Sequence, residues 1–156
     1  KSKVDKPAKR KFLGYSFFEK NGEAMRRIAR ESIERFKERV RGITRPTRRI
    51  KFIDLIRELK LYLTGWKNYF KYSDSKTTLR GLDEWVRHRI RSFIWNQWAK
   101  IKTRYRMLTK FGVGHDLALQ TAASRKGSWR LSNSPAVKIA FPIKYFDKFG
   151  LPKLYS

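Results

Sequence analysis

The spacing of apolar residues changes along the chain, and each spacing predicts a different element. Phe12-Leu13-Gly14-Tyr15-Ser16-Phe17-Phe18 is an aromatic run that reaches Asn21-Gly22, and a return strand over 24–28 follows. Asn-Gly between two short runs predicts a β-hairpin, because both residues tolerate positive φ. A lone hairpin is marginal in water, so this one is expected to belong to a larger sheet. Ile33, Phe36 and Val40 share a helical face over 32–42, with Gly42 as the expected stop. Pro46 then makes 44–49 a basic linker. Leu55, Leu59, Tyr62, Trp66 and Tyr69 or Phe70 form the stripe of a second helix over 52–72, where Ile53 and Leu61 also count as core.

A third, long helix is predicted over 79–110. At about 100° per residue, Leu82, Val86, Ile90, Phe93, Ile94, Ile101 and Leu108 fall in one sector. Arg80, Arg87, Arg91, Lys102 and Arg106 gather in another, beside Trp95 and Trp98. Helices are also expected over 115–123 and 133–141, the latter capped by Asn133 or Ser134, with an irregular basic loop over 124–132 between them. Pro142 and Gly150-Leu151-Pro152 should end regular structure.

Charge sharpens this picture. The chain has 156 residues, 39 Lys+Arg against 13 Asp+Glu, a formal charge of +26, and still 40% apolar and 15% aromatic residues. Such a composition describes a folded polycation with one ordinary core or two small ones. Only 52–78 is nearly neutral, and no acid occurs between Asp116 and Asp147. Lys and Arg in this number release counterions from a phosphate backbone, which gives tight, salt-dependent binding. A lipid-surface binder would concentrate its charge on one amphipathic helix, whereas here it is spread. The cationic sector of the third helix mixes arginines with flat indoles that can stack on bases, although both indoles could equally close a bundle.

Enzyme chemistry is hard to find. No cysteine is present, the only histidines are His88 and His115, and the carboxylates are scattered. Two-metal transfer needs clustered carboxylates, and the one adjacent pair, Asp83-Glu84, reads as compensation of a helix dipole. No apolar run approaches a membrane span or a signal segment. The chain starts at Lys1 and is expected to be a piece of a longer protein.

More specific are Phe12-Leu13-Gly14-Tyr15, Ser32-Ile33-x-Arg35-Phe36-Lys37 with Arg39-Val40-Arg41, and Gly65-Trp66-x-Asn68-Tyr69-Phe70. They are followed by Leu82-Asp83-x-Trp85-Val86-Arg87-x-Arg89-Ile90-Arg91, Ile94-Trp95-x-Gln97-Trp98 and Ala123-Ser124-Arg125-Lys126-Gly127-Ser128-Trp129-Arg130. In this order they resemble group II intron reverse transcriptase/maturases. The resemblance implies a mainly α fold in three parts: the end of the palm as a β-hairpin (1–29), a three-helix thumb or maturase-specific bundle with a long third helix (30–108), and a small helical C-terminal DNA-binding region (109–156). It implies intron RNA, the template–primer duplex and target DNA as partners, alongside the palm and fingers of a parent chain. Splicing and retrohoming of a mobile element would be the function, in a bacterial cytoplasm or an organelle.

The polymerase aspartates and their Mg2+ would lie upstream, so this chain needs no cofactor and should not polymerise by itself. Expected RNA-binding residues are Arg35, Lys37, Arg39, Arg45, Arg48, Arg49, Arg80, Arg87, Arg91, Trp95, Trp98, Lys102 and Arg106. Arg125, Lys126, Trp129 and Arg130 are expected to face DNA. The alternative is a stand-alone RNA-binding protein of ribosomal or RNA-chaperone type, which would use the same charge with no polymerase attached.

Overall fold

A computed structural model describes residues 11–155; residues 1–10 of the expected palm end lie outside the described residues. The chain runs β1 (Lys11–Phe12), β2 (Tyr15–Lys20), β3 (Glu23–Ile28), α1 (Arg30–Ile43), α2 (Phe52–Tyr69) and α3 (Lys76–Gln97). It continues through α4 (Ile101–Lys110), α5 (His115–Ala123), α6 (Ser128–Ser132), α7 (Pro135–Ala140) and α8 (Ile143–Lys148). The fold is mainly α, as the periodicities and the resemblance imply.

The hairpin forms as predicted, in a register that sets Tyr15 opposite Ile28 and Lys20 opposite Glu23. Asn21 and Gly22 take φ of 54° and 81°, the positive values a two-residue turn requires. The short strand β1 adds to the other edge through a second positive-φ pair, Leu13 and Gly14. Gly14 is required twice over. Its φ is 85°, and a Cβ there would lie 2.9 Å from Ser32 Oγ and 3.2 Å from the Phe70 ring.

The hairpin is fastened to the helices by hydrogen bonds in both directions. Arg26 N donates to Asp74 Oδ2 and Asp74 N donates back to Arg26 O, each at 2.7 Å. Tyr15 Oη donates to the Tyr69 carbonyl at 3.0 Å, and Tyr69 Oη to the Leu13 carbonyl at 2.8 Å. Tyr69 is therefore an exposed clamp rather than the core residue its spacing predicts.

α1, α2 and α3 meet around Phe36, whose ring lies 4.5 Å from Trp66 and 5.9 Å from Tyr62. Leu55, Leu59, Trp66 and Phe70 are buried as the stripe predicts, while Ile53 and Leu61 are exposed. α1 continues through Gly42, and its end is tied by Thr44, whose N and Oγ1 both donate to the Val40 carbonyl.

The long third helix is broken in two. α3 stops at Gln97, and α4 restarts at Ile101 with Ile101 itself exposed. No glycine or proline marks the break; instead Arg104 Nε donates to the Trp98 carbonyl at 2.6 Å, satisfying a group that a helix end leaves open. The change of direction lets Trp98 pack 5.7 Å from Phe141, which in turn meets Phe111 and Tyr145. One core runs from Ile28 to Leu154.

Regular structure also extends further than predicted. The basic loop contains α6, and α8 follows Pro142. Asp83 lies beyond the first turn of α3 and has a different use from dipole compensation: its carboxylate accepts the backbone N–H groups of Leu154 at 2.7 Å and Tyr155 at 3.0 Å. Among the described residues, no helix is long and apolar enough to cross a membrane.

Candidate nucleic-acid interface

The expected RNA-binding residues divide into a solvent-facing set and a buried set. α1 buries Ser32, Phe36, Val40 and Ile43, so its helical period turns Arg35 and Arg39 outward on one flank. Arg39 sits 5.9 Å from the Tyr62 ring of α2. On the other flank Lys37 and Arg41 lie 5.5 and 5.4 Å from the Trp85 ring of α3. Arg41 and Arg89, which extend this cationic flank, were not among the expected residues; the signal that could have found them is their four-residue spacing, Arg41 from Lys37 on α1 and Arg89 from Trp85 on α3.

In the α1–α2 connection, Arg45 and Arg49 are exposed. Arg48 between them is committed to the fold. It holds both Glu58 carboxylate oxygens at 2.8 and 2.9 Å and donates to the Ile43 carbonyl at 2.8 Å. The pair draws the Glu58 carboxyl below its usual range and raises the already high Arg48 value. Arg48 is thus a clamp on the connection, not a free phosphate ligand. Lys102 and Arg106 are exposed on α4, and Arg80 donates to Tyr155 Oη at 2.7 Å with its guanidinium 4.2 Å from that ring's centre.

Trp95 and Trp98 are corrected outright. Trp95 is fully buried, Trp98 nearly so, and the two rings meet edge-on at 6.0 Å. Arg104 covers Trp95 at 4.6 Å. Neither indole offers a face to a base. Arg87 and Arg91 are also buried, because α6–α8 cover the side of α3 that carries them.

Among the residues expected to face DNA, Arg125, Lys126 and Arg130 are exposed. Trp129 is exposed only in part, and one ring face is taken: His88 stacks on it at 3.4 Å and 17°. His88 Nε2–H donates to the Trp129 carbonyl at 2.7 Å, and Arg89 approaches the indole at 5.7 Å. This joins the basic turn to the middle of α3 and removes one stacking surface from the indole.

Burial holds the His88 pKa below its ordinary 6.5, reinforced by repulsion from Arg91, Lys138 and Arg89 and opposed by the Trp129 carbonyl. Folding therefore favours the neutral ring. Its contribution is present in full above about 6.5 and fades as pH falls through the lower folded value. Lowering the pH from neutral to about 5.5 should cost the parent more melting temperature than His88→Gln. Equal losses in a thermal melt would show that His88 does not carry the effect.

Among the described residues no three His, Asp or Glu side chains are placed to share a metal ion. What the surface offers is unpaired cations: none of the ion pairs among the described residues engages Arg35, Arg39, Arg45 or Arg49. No curated protein matches this chain. A family model, "Group II intron, maturase-specific domain", matches residues 33–112, from the first turn of α1 to the turn that closes α4. With half of its length matched, and with the three-helix junction and cationic α1 inside that match, the chain belongs to the group II intron maturase-specific domain family.

Proposed function

We propose that the chain grips group II intron RNA through the exposed bases of α1 and the α1–α2 connection, and so promotes splicing. In a parent reverse transcriptase the same helices would lie along the template–primer duplex, and the turn around Arg125, Lys126 and Arg130 would face target DNA during retrohoming. The observation that carries this reading is the set Arg35, Arg39, Arg45 and Arg49, exposed and unpaired beside a core that needs none of them. A rigid helical bundle with such a surface can hold phosphates and 2′-hydroxyls of an A-form duplex without reading sequence.

The test is binding of a group II intron RNA across a salt series. Counterion release predicts a straight fall of log affinity against log salt, with a slope of about −0.9 per phosphate contact. A slope near zero would refute the electrostatic grip. An unrelated structured RNA bound equally well at every salt concentration would favour the general RNA-binding alternative.

A further inference from the structure

Arg87 and Arg91 stand one turn apart on α3, and only 8% and 7% of their surfaces is exposed. Arg91 has a structural use, since its Nε donates to the Phe141 carbonyl at 2.9 Å and its guanidinium lies 5.4 Å from the Phe146 ring. Arg87 has none of this kind. No hydrogen bond or ion pair joins it to any described residue.

Two buried cations on successive turns repel each other, and each has given up water. Burial and the Arg87 charge push the Arg91 pKa down to about 10, which still leaves it charged at neutral pH. Fold stability alone does not account for such a pair, because apolar side chains of similar volume at buried ionic positions are often neutral or stabilising.

The two arginines open onto a cavity of about 790 Å3. Asn133 stands at the end of α6, Lys138 comes from α7, and Ile143 and Lys144 from α8; Glu84, on α3, is the single carboxylate among the lining residues. Four cations therefore converge on one concave space against one anion. A guanidinium fork matches a phosphate through two parallel hydrogen bonds, and Arg91 retains terminal nitrogens beyond the Nε already used.

The recess also selects the form of nucleic acid. A duplex presents its phosphates on a stiff convex surface, which suits protruding side chains such as Arg35 and Arg39. Cations on the floor of a cavity are reached by a strand free to bend inward, and Pro142 and Ile143 supply apolar wall for its sugar or base.

We propose that this cavity between α3 and α6–α8 is a phosphate site for an unpaired nucleic-acid strand, with Arg87 and Arg91 as its floor and Lys138 and Lys144 as its rim. The proposal rests on the reading of the chain as a nucleic-acid-binding protein. The phosphate can be an internal phosphodiester or the terminal phosphate of a strand end.

The experiment compares the parent with Arg87→Gln and Lys138→Gln. Its probes are a short oligouridylate with a 5′-hydroxyl, the same strand with a 5′-phosphate, and an RNA duplex of matched length, all at one salt concentration. Each variant should lose about tenfold or more in single-strand affinity, the size of one charge-assisted contact, with duplex affinity nearly unchanged. A larger loss on the 5′-phosphorylated strand assigns the terminal phosphate, and equal losses on the two strands assign the internal one.

Inorganic phosphate should raise the melting temperature of the parent more than that of Arg87→Gln, and without phosphate Arg87→Gln should melt no lower than the parent. Lys138 is exposed, so its variant tests the site even if Arg87→Gln fails to fold. Intact single-strand binding in Lys138→Gln, or equal losses on strand and duplex, overturns the site and leaves the broader reading standing. A parent that binds neither strand nor duplex overturns both.

Discussion

Trp95→Ala is expected to lower stability by about 3–5 kcal/mol, the range for deleting a large aromatic side chain from a core. In a chain of this length that is a fall in melting temperature of roughly 6–20 °C. Trp95 has no exposed surface, and its ring packs against Trp98 and under Arg104 at the point where α3 ends. Removing it leaves a cavity at the junction that turns the chain into α4. The indole Nε1 is buried without a hydrogen-bond partner, so Trp95→Phe removes an unsatisfied donor while keeping most of the ring volume. That variant should lose far less. Urea titration of both proteins measures the difference, and a Trp95→Ala protein that unfolds like the parent but no longer binds RNA would make the indole a contact after all.

Replacing Arg35, Arg39, Arg45 and Arg49 together by Gln should reduce the slope of log affinity for intron RNA against log salt by about 3.6, if each holds one phosphate. At low salt the affinity loss should be largest, and it should shrink as salt screens the parent. Folding should survive, since exposed substitutions of this kind each change stability by about 0.5 kcal/mol or less. Arg48→Gln serves as the contrast. It breaks the paired contact with Glu58 and the bond to Ile43, so it should loosen the α1–α2 connection with little change of slope. An unchanged slope in the fourfold variant would mean that RNA uses a different face.

Local pattern made much of this fold legible. Asn21-Gly22 announced the hairpin because its turn needs positive φ twice, and the Phe36, Leu55, Leu59 and Trp66 spacings announced α1 and α2 because each buries one face. The break after Gln97 was not legible. Its cause is the tertiary packing of Trp98 on Phe141 and a capping arginine six positions further on, neither of which changes local propensity.

The same distinction governs the site. A helical wheel identifies the cationic sector of α3 but says nothing about which elements later cover it, so Arg87 and Arg91 read as surface residues although α6–α8 enclose them. Trp95 and Trp98, placed in that sector by phase alone, belong to the core that this covering creates. The bases of α1 were easier to place, because Phe36 and Val40 fix the inward face and leave Arg35 and Arg39 no other direction.

The reciprocal bonds between the hairpin and the end of α2 carry a consequence for the order of folding. Arg26 and Asp74 are 48 positions apart, and Tyr69 reaches Leu13 across 56. Closing so long a loop is entropically unfavourable until the intervening chain has shortened it. α1 and α2, packed around Phe36, supply that shortening. The sheet edge is therefore expected to acquire its lasting amide protection after the helical pair has docked, and to open before that pair does. Once closed, the bonds make the hairpin and the α2–α3 turn a single mechanical element, so a displacement imposed on the sheet is delivered to the start of α3.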